Sequence, residues 1–181
     1  NYNKDPYNNI QANPWGLVHA QQSDRNRTMV TGHVDLKFNI LPGLTFTTTN
    51  GIDFNDYKGY SLSSAKLFGK TDMGNNNTQV MALQTTNNLT YVGKWGQHNL
   101  TATGVWEATS HETRGMSIDG KNVAQEFLGY WNVKNAASRD ADNSYSKWTM
   151  LSGVARVMYN YADRYMLTGT FRADGSSRFT N

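Results

Sequence analysis

The sequence predicts an all-β fold: a part of a transmembrane antiparallel β-barrel, contributing about six strands to a larger barrel. Apolar and polar side chains alternate over segments of about ten residues, as in strands that face lipid on one side and water on the other. Short and long connections also alternate along the chain. No apolar run approaches the roughly 18 to 20 residues of a membrane-spanning helix. A mean hydropathy of −0.67 fits strands that need an apolar residue only at every second position.

The first strand, residues 28–40, alternates most regularly, with Val34 and Phe38 on one face and Asp35 on the other. A turn follows at Leu41-Pro42-Gly43, because proline presets φ and glycine tolerates positive φ. The last two strands form a hairpin over residues 156–179. The other predicted strands are residues 44–57, 79–92 and 98–110.

The connections predict an orientation for these strands. Short turns are expected at 41–43, 93–97 and 161–164, and long loops at 1–27, 58–78 and 111–146. Outer-membrane barrels have short periplasmic turns and long outer loops, so we expect the long loops to face the exterior. Because the smallest bacterial barrels have about eight strands, residues 1–181 are interpreted as a barrel fragment without plug or termini.

Composition excludes several function classes. Cysteine is absent, so disulfides, thiolate metal centres and cysteine nucleophiles are excluded. The net charge of +3 comes from interspersed residues without a basic stripe, so no nucleic-acid partner is expected. Four scattered histidines lack metal-ligand spacing, and residues 140–143 lack the glycine and glutamate of a calcium loop. No catalytic constellation is present, so we expect neither an enzyme nor a cofactor.

Charged side chains on the polar faces of the strands are the candidates for the barrel lumen. They either line a translocation path or pair with a plug, and plug and wall contacts are favoured because buried charges need partners. These lumen-facing candidates are His33, Asp35, Lys37, Asp53, Glu107, Arg156 and Arg172.

Aromatic side chains in the predicted outer loops are candidates for contact with a substrate or with a partner that covers the barrel. They are suited to stacking on sugar rings, and packing within the loops is the alternative for each of them. The candidates are Trp15, Tyr60, Phe68, Tyr130 and Trp131.

The final hairpin carries a motif of charged, aromatic, glycine and serine residues. Its positions are Arg156, Tyr159 and Tyr161, followed by Asp163, Arg164, Tyr165, Asp174, Gly175, Ser176, Ser177, Arg178 and Phe179. With this motif the hairpin resembles the SusC/RagA family of TonB-dependent outer-membrane transporters, and weaker similarities follow in order along nearly the whole chain. One departure is Arg172-Ala173, where the family usually has Arg-Arg or Arg-Tyr. Because serine and arginine side chains can hydrogen-bond where the strand leaves the membrane, we expect a structural role for this motif rather than substrate contact.

The resemblance implies a barrel of about 22 strands with a plugged lumen, located in the outer membrane of a Gram-negative bacterium and in contact with its lipid. It further implies active import of oligosaccharides or peptides, a SusD-like surface lipoprotein as a lid, and coupling to the TonB complex through parts that this chain does not contain. The alternative from the residues alone is a soluble β-sandwich that binds carbohydrate through exposed aromatic side chains. In a sandwich, the apolar face of residues 30–40 has to be a core.

Overall fold

A computed structural model describes residues 14–179 as two short α-helices, two 3₁₀ turns and six strands. Their bounds are α1 (Pro14–Ala20), β1 (Gln21–Leu41), β2 (Leu44–Ser63), α2 (Ala65–Phe68), β3 (Asp72–Trp95), β4 (His98–Val123), the 3₁₀ turns Glu126–Trp131 and Val133–Asn135, β5 (Ala136–Tyr161) and β6 (Tyr165–Ser176). None of the helices in the described part combines the length and apolar character needed to span a bilayer.

The strands form one six-stranded sheet in the order β1-β2-β3-β4-β5-β6, so each strand pairs with its sequence neighbours. Strands β5 and β6 are antiparallel, and Ala155 is opposite Phe171 while Arg156 is opposite Thr170. This register brings the apolar positions of both strands to one face and the polar positions to the other. The all-β prediction and the two-faced final hairpin are confirmed.

The predicted strands were too short at the ends that adjoin the long connections. The predicted loop at 1–27 contains α1 and the start of β1, as far as it lies within the described residues. The loops at 58–78 and 111–146 shrink to residues 64–71 and 124–135. These added strand residues are mostly polar, and apolar ones such as Leu62 and Met73 are too few to form a long alternating run. Sequence periodicity therefore misses them.

The short turns are close to their predicted positions. Strands β1 and β2 are joined by Pro42 and Gly43, and the β3–β4 turn is at residues 96–97, slightly later than predicted. Gly43 has φ of 82°, and a Cβ there would lie 2.2 Å from the Val92 carbonyl oxygen. The Val92 N–H donates to the Gly43 carbonyl at 2.7 Å. Glycine is thus required at this turn by both its backbone angle and its contact with β3.

The described chain divides into two compact units. The loop unit comprises residues 14–29, Asn55–Gln79 and Thr113–Tyr145, and the turn unit comprises Val30–Phe54, Val80–Glu112 and residues 146–179. In the loop unit Leu62, Met73, Val123 and Ala136 form a small apolar core, against which Tyr130 and Val133 pack.

The turn unit has a different composition of buried and exposed residues. None of the buried apolar side chains found among residues 14–179 belongs to it. Its apolar side chains are exposed instead, with Val34 at 58% and Phe171 at 71% of their full accessible surface. The β-sandwich alternative was therefore wrong, because it requires a second sheet over this face, and the strands form a single open sheet.

Candidate functional site

The charged lumen candidates all lie on strands of the turn unit. His33, Asp35 and Lys37 are on β1, Asp53 is on β2, and Glu107 is on β4. The β5–β6 register pairs Arg156 with Thr170 and Arg172 with Val154, so the two arginines share one face. That these residues line a lumen stays a prediction.

Most of these charged side chains form a hydrogen bond with a threonine hydroxyl or an ion pair with a residue two positions away. Thr49 Oγ1 donates to Asp35 Oδ1 at 2.6 Å, and His33 Nε2 lies 3.5 Å from Asp35 Oδ2. Thr86 Oγ1 donates to Glu107 Oε2 at 3.2 Å. Arg172 binds Asp174 in a two-pronged ion pair with N–O distances of 2.8 and 2.9 Å. On this polar face, the carboxylates of Asp35, Glu107 and Asp174 therefore already hold partners.

The turn of the final hairpin is built from residues of the family motif. Ala162 and Asp163 both have φ of 53°, as a tight reversal between two strands requires. Asn160 Nδ2 donates to Asp163 Oδ1 at 2.8 Å, and the Arg164 N–H donates to the Tyr161 carbonyl at 3.0 Å. These contacts close the turn through its own residues.

At the other end of the hairpin, residues of the motif continue the pairing of β5 with β6 beyond the end of β6. Asp174 and Gly175 lie within β6, and a turn follows at residues 177–178. The Ser177 N–H donates to the Thr149 carbonyl at 3.0 Å, and the Thr149 N–H donates to Ser177 Oγ at 2.9 Å. The Arg178 guanidinium lies 4.6 Å from the centroid of the Trp148 ring. Each of these contacts is internal to the chain and holds β5 against the end of β6.

The aromatic residues predicted to lie in outer loops are found in α1, in α2 and in a cluster of three rings. Trp15 is in α1, where its ring stacks on His19, and Phe68 is in α2. Tyr60 belongs to β2 and not to a loop, which corrects its assignment. Tyr60, Tyr130 and Trp131 nevertheless form one cluster, with ring centroids 4.8 to 5.2 Å apart. Packing among these three rings leaves Trp131 69% exposed, so one ring of the cluster remains accessible.

Glu126 joins two segments of the loop unit, and sequence reasoning missed it. Its carboxylate accepts hydrogen bonds from Ser64 Oγ at 2.6 Å, Thr71 Oγ1 at 2.9 Å and the Ala65 N–H at 3.2 Å. The Ser64 hydroxyl, followed by Thr71 and Ala65, holds the pKa of Glu126 below its usual value. Since Ser64 also caps α2, this carboxylate fastens the 3₁₀ segment to that helix.

A second link fixes the aromatic cluster to β1. The Tyr130 hydroxyl donates to Asp24 Oδ2 at 2.5 Å, which raises the pKa of Tyr130 because ionised tyrosine is disfavoured beside a carboxylate. The two links have no local sequence signal, because they join residues 55 to 106 positions apart.

Within residues 14–179, no group of three or more histidine or acidic side chains is arranged to hold a metal ion. The acidic residues at 140–143 are part of β5, so the loop position assigned to them was wrong.

Comparisons with known proteins support a barrel of the TonB-dependent type. The chain is 27% identical over 175 residues to TonB-dependent receptor P3 of Formosa agariphila, covering 93% of this chain and 17% of that protein. It matches the structure of the RagAB peptide transporter with a TM-score of 0.81 and 15% identity, over 93% of this chain and 20% of that one. The RagAB peptide importer in its open-open state matches with a TM-score of 0.77 and 16% identity, over 93% and 19% of the two chains.

No family model matches the chain. The chain spans about a fifth or less of the length of the proteins it matches. The relatives named above are receptors or transporters. The six strands of this chain have the same fold as the matching part of the RagAB structure.

Proposed function

We propose that the chain is a part of a SusC/RagA-type TonB-dependent transporter and forms part of the barrel wall of an active outer-membrane importer. The observation that carries this proposal is the two-faced sheet. One face of the turn unit exposes apolar side chains such as Val34 and Phe171, while the other bears paired charges. A sheet with these faces is stable where lipid covers the first and water or a plug meets the second.

The length of the strands supports the same assignment. Strands β2 to β5 contain 20 to 26 residues each, whereas a tilted strand crosses a bilayer with about 9 to 11. The surplus belongs to strand segments that leave the membrane, and in this family long extensions are on the outer side. The loop unit, with its core and its water-compatible faces, then lies outside the cell, and the short turns face the periplasm.

The cargo we propose is an oligosaccharide or a peptide, delivered with a SusD-like surface lipoprotein as lid and with energy from the TonB complex. The similar RagAB structures are of a peptide transporter, which supports the peptide class in particular. The exposed rings of the loop unit, Trp131 among them, are the surface that this chain contributes toward cargo or lid.

The proposal is tested by following uptake of labelled peptides and oligosaccharides in cells that express the full-length transporter. Uptake should stop when TonB is depleted and fall when the adjacent lipoprotein is deleted. Uptake that persists without TonB would contradict the importer. A full-length protein found outside the outer-membrane fraction would contradict the barrel.

A further inference from the structure

A cavity of about 540 Å³ opens on the loop unit and is lined by β1, β2, β3 and β4. Two glycines make its floor. A Cβ added to Gly59 would lie 2.1 Å from Asn76 Oδ1, and one added to Gly74 would lie 2.7 Å from Asp119 Oδ1. The polar side chains thus lean into space that any larger residue would fill, so the concavity depends on these two glycines.

Two arginines line the β1 side of the cavity. Arg27 donates through Nε and Nη2 to Asn55 Oδ1 at 3.2 and 2.7 Å, and its guanidinium lies 5.0 Å from the centroid of the Tyr57 ring. An amide oxygen and an aromatic ring hold the guanidinium in place without neutralising its charge. The Nη1 nitrogen takes part in neither hydrogen bond, which leaves an edge that can donate to a ligand.

No acidic side chain between residues 14 and 179 forms an ion pair with Arg25 or Arg27. Asp24 is adjacent in sequence, but its carboxylate accepts the Tyr130 hydroxyl, and strand alternation directs it to the opposite face of β1. Among the described residues, the positive charge on this wall is therefore not neutralised and can attract an incoming anion.

The opposite wall differs in charge. Asp119 of β4 lines it, and serine, asparagine and tyrosine side chains lie between the two walls together with Lys58, whose Nζ is 3.2 Å from Asp56 Oδ2. A ligand that places an anionic group beside the arginines meets mainly hydroxyl and amide groups, and this paired lysine, along the rest of the cavity. An anion placed at the far wall would meet a carboxylate instead.

We propose that this cavity binds a carboxylate of the transported oligomer, which makes the importer selective for acidic cargo. The inference rests on the proposed function, since it assigns a cargo class to that importer. Guanidinium groups match the geometry of carboxylates, and two of them close together discriminate against neutral groups of the same size. The carboxylate has two possible sources, an acidic peptide or an oligosaccharide of uronic acids.

Binding to the purified full-length transporter tests the proposal. The probes are a fluorescent glutamate oligomer with a glutamine oligomer of equal length, and an oligogalacturonate with a neutral galactan of equal length. Arg25→Gln and Arg27→Gln should each weaken binding of an acidic probe about tenfold and leave its neutral counterpart unchanged. The acidic probe that responds identifies the source of the carboxylate.

Two further variants sharpen the result. Arg139→Gln changes an arginine of the loop unit outside this cavity and should leave binding of every probe unchanged. Asp119→Asn removes the negative charge of the far wall and should strengthen acidic binding by about twofold.

Three results would overturn the inference: wild-type protein that binds neither acidic probe, arginine variants that bind like wild type, or equal losses for acidic and neutral probes. None of these results bears on whether the protein imports cargo, which the dependence of uptake on TonB decides separately. Conversely, arginine-dependent binding without uptake would leave this site intact and contradict the importer.

Discussion

The loop unit buries a small apolar core around Leu62 and Met73, whereas the turn unit has no buried apolar side chain among its described residues. The loop unit adds a carboxylate, Glu126, that joins segments far apart in sequence. The turn unit instead exposes one apolar face and pairs its charges on the other. This contrast is the one expected if the loop unit meets water and the turn unit lies in a membrane, as proposed above.

Under the proposed function, the two units are stabilised by different surroundings. Burial of apolar side chains from water stabilises the loop unit, as in a soluble domain. For the turn unit, whose apolar face is not covered by any of the described residues, lipid outside the sheet would make the same contribution. Substitutions should therefore have effects that depend on the unit and, within the turn unit, on the face.

The largest effect is expected for Val34→Arg, which places a charge on the apolar face of β1. An arginine on the lipid face near the bilayer centre costs about 2–4 kcal/mol. Thr31→Arg, on the opposite face of the same strand, should cost far less. Urea unfolding of the full-length barrel in lipid vesicles measures both, and equal costs would contradict the assignment of faces.

Leu62→Ala should destabilise the loop unit by about 2–3 kcal/mol, because Leu62 is only 8% exposed in its core. Leu128→Ala, at a position that is 45% exposed, serves as the control and should change little. Amide hydrogen exchange should speed up in the loop unit and stay unchanged in the turn unit. Faster exchange in both units would show that they are not stabilised separately.

Glu126→Gln should cost about 1–2 kcal/mol. The amide retains one oxygen, and its NH₂ group then faces the Ala65 N–H and the Thr71 hydroxyl, which donate to the carboxylate in the native protein. Hydrogen exchange should accelerate at residues 64–71 and 124–135. Asp140→Asn, a matched change in the loop unit at an exposed position, should leave exchange there as it is in the native protein.

The same carboxylate predicts a dependence on pH. Its hydrogen bond from Ser64, above all, lowers the pKa of Glu126 from the unfolded value of 4.5. The stabilisation is therefore fully present above pH 4.5 and is lost as the pH falls through the lower folded pKa. Exchange at residues 124–135 should rise over this acidic window in the native protein. Glu126→Gln should not show this rise, and an equal rise in the variant would exclude Glu126 as the cause.

The smallest effect is expected for Arg178→Gln, which removes the guanidinium from the Trp148 ring. An exposed contact of this kind is worth about 0.5–1 kcal/mol. Arg164→Gln, at the turn of the same hairpin, is the control. The fluorescence of Trp148 and the urea midpoint should change only for Arg178→Gln. A large loss of cargo transport without a change in folding would instead assign Arg178 a role in transport.

The sequence predicts a strand correctly where apolar and polar side chains alternate along it. An alternation of the kind that lipid on one side and water on the other would impose is present in residues 28–40 and in the final hairpin. Residues 28–40 lie within β1, and the hairpin is formed by the end of β5 and by β6. The segments 58–63 and 111–123 are mostly polar and have too few apolar side chains for a long alternation, so the pattern predicts loops although these residues belong to β2 and β4.

The contacts of the loop unit were beyond sequence reasoning for another reason. Glu126 approaches Ser64 and Thr71 only after the sheet has formed, across sequence separations of 62 and 55 residues. The cavity beside Arg27 likewise depends on Gly59 and Gly74, which come from neighbouring strands. In the sequence, no local pattern indicates that the charges of Arg25 and Arg27 lack acidic partners among the described residues.

Cysteine scanning along residues 30–40 of β1 tests the central claim most directly, because this chain contains no cysteine of its own. Each variant of the full-length protein carries a spin label and is reconstituted in lipid vesicles. Even-numbered positions, Val34 and Phe38 among them, should be accessible to oxygen dissolved in the bilayer, and odd-numbered positions should not be. Uniform access of a water-soluble relaxant to both sets would contradict a membrane-facing sheet and with it the account given for the turn unit.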